Sequence, residues 1–483
     1  MYLGIDIGTS GVKTLLITDE GTISSSASAP LSVSRPKPLW SEQDPHDWWS
    51  ATQDAVLQLP QDERAAIRAV GLSGQMHGAT VLGADDQALR PAILWNDGRS
   101  HQECNDLQTK EPDFLSMGGN LVMPGFTAPK LTWLQRHEPE IFRQIQKVLL
   151  PKDYVRLLMT GEYASDMSDS AGTLWLDVQA RAWSETLLSA CDLSLDQMPQ
   201  LYEGTEVTGQ LRAELAAEWG CGRVPVVAGG GDNAAGAAGS GVIEQGEALL
   251  SLGTSGVIFA PTDQFRPYTD RAVHAFCHAL PERWHQMSVM LSAASCLDWA
   301  AAITGIEGPA KLVGVAESNG RIGVEEQFLP YLSGERTPHN NPQASGVFFG
   351  LSFDSQQADI AQAVLEGVAF GMADGLSALE ASGTMINAIS VIGGGSRSQH
   401  WGQVLAAALN KPLIYRDGAV TGPAFGAARL ARYNILGGDL KDMFAPPERI
   451  AEIEPAPQNV ETLAPKYQKF QALYRALETQ FAD

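Results

Sequence analysis

Ile5–Val12 reads IDIGTSGV, and Leu250–Val257 reads LSLGTSGV. The two segments start 245 positions apart in a chain of 483 residues, so the repeat nearly halves it. A shared GTSGV at that offset points to a duplicated half, with one glycine-rich turn from each half facing a common cleft. In both copies an apolar run leads into Gly-Thr-Ser-Gly and a second apolar run follows, the pattern of a β-hairpin with glycine at its bend. Converging backbone N–H groups, joined by the hydroxyls of Thr9, Ser10, Thr254 and Ser255, suit an anion such as phosphate. An ordinary hairpin turn is the competing reading for either copy alone; the duplication favours phosphate handling. The copies diverge two residues before the turn, where the first has Asp6 and the second Ser251.

The bulk properties frame that reading. The length suits two domains, here 1–246 and 247–483, and 44% apolar with 18% charged residues is the composition of a globular protein. A net charge of −23 argues against nucleic acid, which demands a basic face. The same charge repels an anionic nucleotide, so a divalent cation and local N–H groups would have to supply the attraction. No apolar stretch approaches a membrane span, and Met1–Ile7 reads as a core strand rather than a leader. Five cysteines without a C-x-x-C spacing disfavour zinc and a disulfide framework, so small buried hydrophobes in a reducing cytoplasm are expected.

Strand and helix signals alternate along both halves, which argues for an α/β architecture. Pro45–Leu57 has amphipathic helical spacing with Trp48 and Trp49 as core anchors. Ala69–Ser73 runs as a strand into GQMHG (Gly74–Gly78), and Pro91–Asn96 approaches WNDGR (Trp95–Arg99). Val224–Ala228 ends in GGGDN and Ala388–Ile392 ends in GGGS, so the two glycine triplets form a second, looser echo between the halves. No Gly-Lys dipeptide exists for a Walker A loop, and no kinase-type His-Arg-Asp segment or G-x-G-x-x-G after the first strand is present. The charged stretch Glu335–Asn341 reads as a surface loop that could border the cleft.

Taken in order, IDIGTSGVK, GQMHG, WNDGR, GGGDN, LSLGTSG and GGGS resemble the FGGY family of carbohydrate kinases over nearly the whole chain. GFTAPKLTWLQRH (Gly125–His137) and SGVFFGLSFDSQQADIAQAVLEG (Ser345–Gly367) fit the same family. The resemblance implies the duplicated ribonuclease-H-like fold of actin and hexokinase, with the active site in the interdomain cleft. It also implies ATP as co-substrate, Mg²⁺, a small sugar as partner, no nucleic acid or membrane, and room for a homodimer. The expected reaction is phosphorylation of the 5-hydroxyl of D-xylulose. L-ribulose, D-ribulose, glycerol and gluconate are the neighbouring acceptors, and an actin- or chaperone-like ATPase is the rival of a different class. That rival has no use for GQMHG, WNDGR and GGGDN.

Specific residues follow. Asp232, just after three glycines at a strand end, would take the proton of the sugar hydroxyl, a poor nucleophile until its proton has an acceptor. Capping the following helix is its alternative role. Asp6 beside a phosphate turn would work through Mg²⁺ or a metal-bound water; a solvated strand-end carboxylate is the competing reading. Lys13 would approach the phosphates or simply lie on the surface. Members of the family that act on D-xylulose contact it through a Met-His pair, here Met76 and His77, where glycerol kinases usually carry Arg-Glu. Trp95, Asn96 and Asp97 would present an aromatic face, an amide and a carboxylate to the sugar, with Trp95 as a core aromatic the alternative, and Asn233 would orient the substrate beside Asp232. Gly8, Thr9 and Ser10 with Gly253, Thr254 and Ser255 would hold the phosphates. Gly394, Gly395, Ser396 and Ser398 would line the adenosine site, with Gln399 and Trp299 as weaker candidates; the family often has Ala at the place of Ser396.

Overall fold

The computed structural model describes residues 1–417 and 422–481, without the side chains of Ser396 and Arg397. Two sheets dominate it, each opened by one of the repeated hairpins. The first hairpin joins β1 (Tyr2–Ile7) to β2 (Gly11–Ile17), and β3 (Ile23–Pro30) follows. With β4 (Ala69–Gly74), β5 (Val207–Gln210) and β6 (Pro225–Gly231) they build a six-stranded sheet in the order β5-β6-β4-β1-β2-β3. The second hairpin joins β7 (Gly246–Leu252) to β8 (Gly256–Thr262). Then come β9 (His274–Cys277), β10 (Trp284–Met290), β11 (Ile386–Ile392), β12 (Leu413–Arg416) and β13 (Arg449–Ile453). The second sheet runs β9-β10-β8-β7-β11-β12-β13.

Aligned on the hairpins, β6-β4-β1-β2-β3 matches β12-β11-β7-β8-β10, the same five-strand unit twice. In both, the hairpin strand is antiparallel to its partner and parallel to the strand on its other side. The match corrects one expectation. Gly229–Gly231 ends β6, whereas Gly393–Gly395 follows β11, the counterpart of β4. The topological partner of the Gly393 turn is therefore the Gly74–Gly78 segment. The triplets resemble each other because a strand end that must bring backbone to a ligand selects glycine wherever it occurs.

Pro45–Leu57 forms the expected helix, N-capped by Asp44, and Trp48 is fully buried while Trp49 is half-buried. The helix Gly422–Leu436, from the second half of the chain, packs on β1 and β4 of the first sheet and on the helix Asp232–Ser240. Gly4 and Gly71 make this approach feasible. A Cβ on either would sit 1.9 Å from the carbonyl oxygen of Ala424 or Ala427, so any side chain there would push the helix off the sheet. One hydrophobic cluster accordingly joins residues from both halves, and the chain is laced across its cleft rather than divided by it. No described helix is long and apolar enough to cross a membrane. All five cysteines are free; four are buried and Cys221 is half-buried.

Candidate active site

The ends of β4 and β6, the second hairpin and strands β9 and β10 enclose a cavity of about 300 Å³. The first half contributes Met76, His77, Trp95, Phe126, Asp232 and Asn233 to its walls; the second contributes Ser251, Ser255, His274 and Arg336.

Asp232 enters this space because of the bend before it. Gly229 takes φ +78°, and a Cβ there would lie 1.7 Å from the carbonyl oxygen of Leu72, so only glycine serves. A fully buried ionic cluster grips the bend from behind. Arg156 donates to the carbonyls of Val227 and Ala228 at 2.9 and 2.5 Å, and Ser168 accepts from the Gly231 N–H at 3.0 Å. Lys152 lies 2.7–3.0 Å from Asp153, Asp166 and Asp169. Asp232 is the first residue of its helix, not the cap; Gly231 holds the cap position. Its Oδ1 accepts from the backbone and side-chain nitrogens of Asn233 at 2.7 and 2.9 Å. Burial raises its pKa to about 6 against those hydrogen bonds.

His77 is strained and pinned. Its φ of +68° is unusual for a residue with a β-carbon, and its carbonyl accepts from Lys130 at 2.8 Å and Thr127 at 3.2 Å. Lys130, fully buried, also donates to the Gly125 carbonyl at 2.8 Å, so one ammonium ties the two loops bordering the cavity. His77 Nδ1 lies 2.7 Å from the Gly172 carbonyl, which can only accept, so Nδ1 carries the proton and Nε2 offers a lone pair. Burial, then the Lys130 charge, push the imidazole down to about 3, so it stays neutral.

Trp95 is 44% exposed, which excludes a role as core aromatic; its indole N–H donates to Thr9 Oγ1 at 3.0 Å at the cavity mouth. Its motif neighbours are placed elsewhere. The Asp97 side chain is fully buried and bidentate to Arg99 at 2.9 and 2.7 Å, and it accepts from Ser41 N–H at 2.6 Å. Every strong position on that carboxylate is occupied, so it shapes the loop instead of meeting sugar. Asn96 is exposed and faces a separate surface depression lined by Arg35–Ser41. Neither residue is brought to the cavity.

Asp6 stands at the end of β1, in register with Lys13 on β2 and Ser73 on β4. It is not among the cavity walls. Burial, then the charge of Asp232, lift its pKa to about 7, and its Oδ1 has no hydrogen-bond partner. In the first turn Gly8 N–H donates to the Gly11 carbonyl at 3.0 Å, Thr9 donates to Gln75 at 2.8 Å, and Ser10 is exposed.

A second pocket, about 730 Å³, lies between the second hairpin and the helices Ser295–Thr304 and Gly308–Asn319. Gly253, Thr254, Gly394, Gly395, Ser398 and Gln399 line it. The Ser398 hydroxyl caps the next helix, accepting from Trp401 N–H at 3.1 Å. Trp299 stacks on Phe328 and Phe348 and is not among the pocket residues; the side chain of Ser396 lies outside the described residues. The helix Gly308–Asn319, with Ala310, Val313 and Glu317 facing the pocket, carried no motif in the sequence. Arg336 was hidden in a loop whose charges read as surface, and His274 in a strand without motif.

The two halves match the N-terminal domain model (residues 1–239) and the C-terminal domain model (residues 248–435) of the FGGY carbohydrate kinases. The chain belongs to the FGGY family of carbohydrate kinases. It is 58% identical to xylulose kinase of Escherichia coli K12 over 89% of its length and 90% of the relative's. It is 56% identical to xylulose kinase of Klebsiella pneumoniae over 89% of each chain. Among solved structures, a "xyloylose kinase" from Brucella ovis superposes with a TM-score of 0.97 at 50% identity, covering 99% of both chains. As a member of this family the protein is a sugar kinase with the two-domain actin- and hexokinase-like fold. The duplicated sheets are that fold's two halves.

Proposed function

We propose that this FGGY kinase transfers the γ-phosphoryl group of ATP to the 5-hydroxyl of D-xylulose. The observation that carries the reading is the shared wall of the cleft. A cavity of sugar size holds His77 and Asp232, and its far side ends at Ser255, next to Thr254 in the larger pocket. The names of the most similar relatives support D-xylulose as the acceptor.

In this reading residues 1–246 supply the sugar-binding His77 and Asp232, and residues 247–483 bind nucleotide and close the far wall of the sugar cavity. Asn233 occupies Oδ1 of Asp232, which leaves Oδ2 for the attacking hydroxyl. A carboxylate raised to about 6 is still ionised at neutral pH yet more basic than an exposed one, so it accepts the proton more readily. N–H groups of the two hairpin turns offset the charge that spreads over the transferred phosphoryl oxygens. The residues fit Mg²⁺ entering with ATP: Asp6 Oδ1 is buried without a partner, while no described cluster of three acidic, histidine or cysteine side chains would hold a resident ion. When bound, Mg²⁺ supplies neutralisation of phosphate charge. Closure of the cleft on sugar excludes water, so slow ATP hydrolysis without sugar is expected.

A coupled assay of ADP release across D-xylulose, L-ribulose, D-ribulose, glycerol and gluconate tests the acceptor. D-xylulose should give the highest kcat/KM. A stronger response to glycerol would replace the acceptor, and ADP release indifferent to every sugar would favour a nucleotide-driven ATPase.

A further inference from the structure

The loop carrying Arg336 brings a guanidinium into the sugar cavity from the second half of the chain. Among the described residues no carboxylate lies within ion-pair distance of it; its side-chain contact is His274 Nε2, at 3.5 Å. The Asn120 amide nitrogen donates to the carbonyls of Gly118 and Ala275, so its Oδ1, 2.8 Å from His274 Nδ1, accepts. His274 therefore keeps its proton on Nδ1 and turns a lone pair to Arg336. Burial, then the Arg336 charge, hold that imidazole far below its usual pKa, so it adds no charge. Glu335 turns away: its Oε1 accepts from Leu291 N–H at 2.9 Å and Arg336 N–H at 2.7 Å, and burial raises it to about 8. The guanidinium is thus held in place from one side with donors left for the cavity. Arg336 is half-buried, and a half-buried cation without an ionised partner is best satisfied where a ligand oxygen meets it.

The surroundings indicate which oxygen. His274 meets Phe126 edge-on at 5.7 Å, and Phe126 meets His77 at 4.8 Å, so one aromatic run links Arg336 to the His77 wall. The Arg336 charge also contributes to depressing His77. Asp232, by contrast, is governed by burial and Asn233. Arg336 offers only donors and His77 Nε2 only an acceptor. A ketone oxygen only accepts, whereas a hydroxyl can donate to Nε2. We infer that Arg336 binds the C2 carbonyl oxygen and His77 a neighbouring hydroxyl, so that this pair selects a 2-ketose over the corresponding polyol. The inference rests on a 2-ketose being the acceptor.

The test compares the full-length wild type with Arg336→Met and Arg336→Lys on D-xylulose, xylitol and D-arabinitol; the two alcohols differ from D-xylulose only at C2. Arg336→Met should lower kcat/KM for D-xylulose about 10- to 100-fold and for the polyols less than about fivefold. Arg336→Lys should recover part of the ketose preference, and the KM for ATP should move little. Equal losses on all three acceptors, a raised KM for ATP, or unchanged ketose turnover would each overturn the assignment while leaving D-xylulose as substrate. A wild type that prefers a polyol would overturn the acceptor reading and this one together.

Discussion

The two hairpin turns share a sequence and a fold position, yet they are braced by different means. The first is tied mainly by side chains, beside a backbone bond from Leu31 N–H to the Ser10 carbonyl at 3.0 Å. Thr9 donates to Gln75 and accepts from Trp95, Gln43 donates to the Thr9 carbonyl at 2.7 Å, and Gln43 in turn accepts from Gln75 and Trp48. The second is tied mainly through its backbone: the Thr254 carbonyl accepts from Ala293 N–H and from the Ser295 hydroxyl, and the Gly253 carbonyl from Ala294 N–H. Thr254 itself is exposed to the larger pocket. The residue two before each turn follows the same division, an acid in the first half and a neutral hydroxyl in the second. Duplication supplied one scaffold, and in the proposed reading the polar side chains around it separate a sugar face from a nucleotide face.

The sharpest break of that contrast is Asp232→Asn. The amide keeps the shape and the bonding to Asn233 but removes the proton acceptor, so kcat with D-xylulose should fall about 10²- to 10⁴-fold. Binding of ATP on the opposite face should persist, as equilibrium titration with nucleotide would show. A variant retaining more than a tenth of wild-type kcat would remove Asp232 from the base role.

Much of this arrangement was legible in the sequence because it is local. The hairpins are written as contiguous turns, and GGGDN records a bend that only glycine permits at Gly229. What was not legible depends on which groups the fold brings together, near or far in sequence. Asp97 looked like a free carboxylate, but its partner Arg99 sits two residues away in the same motif and satisfies it. The glycine triplets suggested a repeat because chemistry at strand ends converges, while strand order, set by long-range pairing, gives them different counterparts. Arg336 carried no motif: its loop read as surface that could border the cleft, as it does, but nothing marked this charge as the one turned inward. The crossing of Gly422–Leu436 onto the first sheet was likewise hidden, since small residues reveal a close approach without naming what approaches.

The pH dependence sharpens the comparison, because the two raised aspartates that the proposed reaction uses, Asp6 at about 7 and Asp232 at about 6, belong to the first half. Both must be ionised to act, so activity is present above these values and lost as pH falls through them. Each raises the cost of ionising the other, so in the free enzyme they titrate as a pair. Thus kcat/KM should decline below about pH 7 and steepen toward two protons, about 10³-fold below its plateau by pH 5. Mg²⁺ with ATP favours ionised Asp6, so kcat at saturating MgATP should show a single ionisation. Profiles of kcat and kcat/KM with identical slopes would contradict a coupled pair.

The smallest effect tests the two turns directly. Thr9→Val removes a hydroxyl that holds Gln75 and anchors Trp95, so the loss should register in the fold and the sugar site. The expectation is about 1–2 kcal/mol of stability and a several-fold higher KM for D-xylulose, with little change in the KM for ATP. Thr254→Val removes a hydroxyl that faces the pocket while its carbonyl keeps every brace, so the melting temperature should hold and the KM for ATP should rise less than tenfold. Measuring both variants by thermal unfolding and by KM for each substrate gives four numbers whose pattern must cross. If both variants lost stability equally, or both shifted the same KM, the side-chain bracing of the first turn would have no functional meaning and the two turns would be interchangeable.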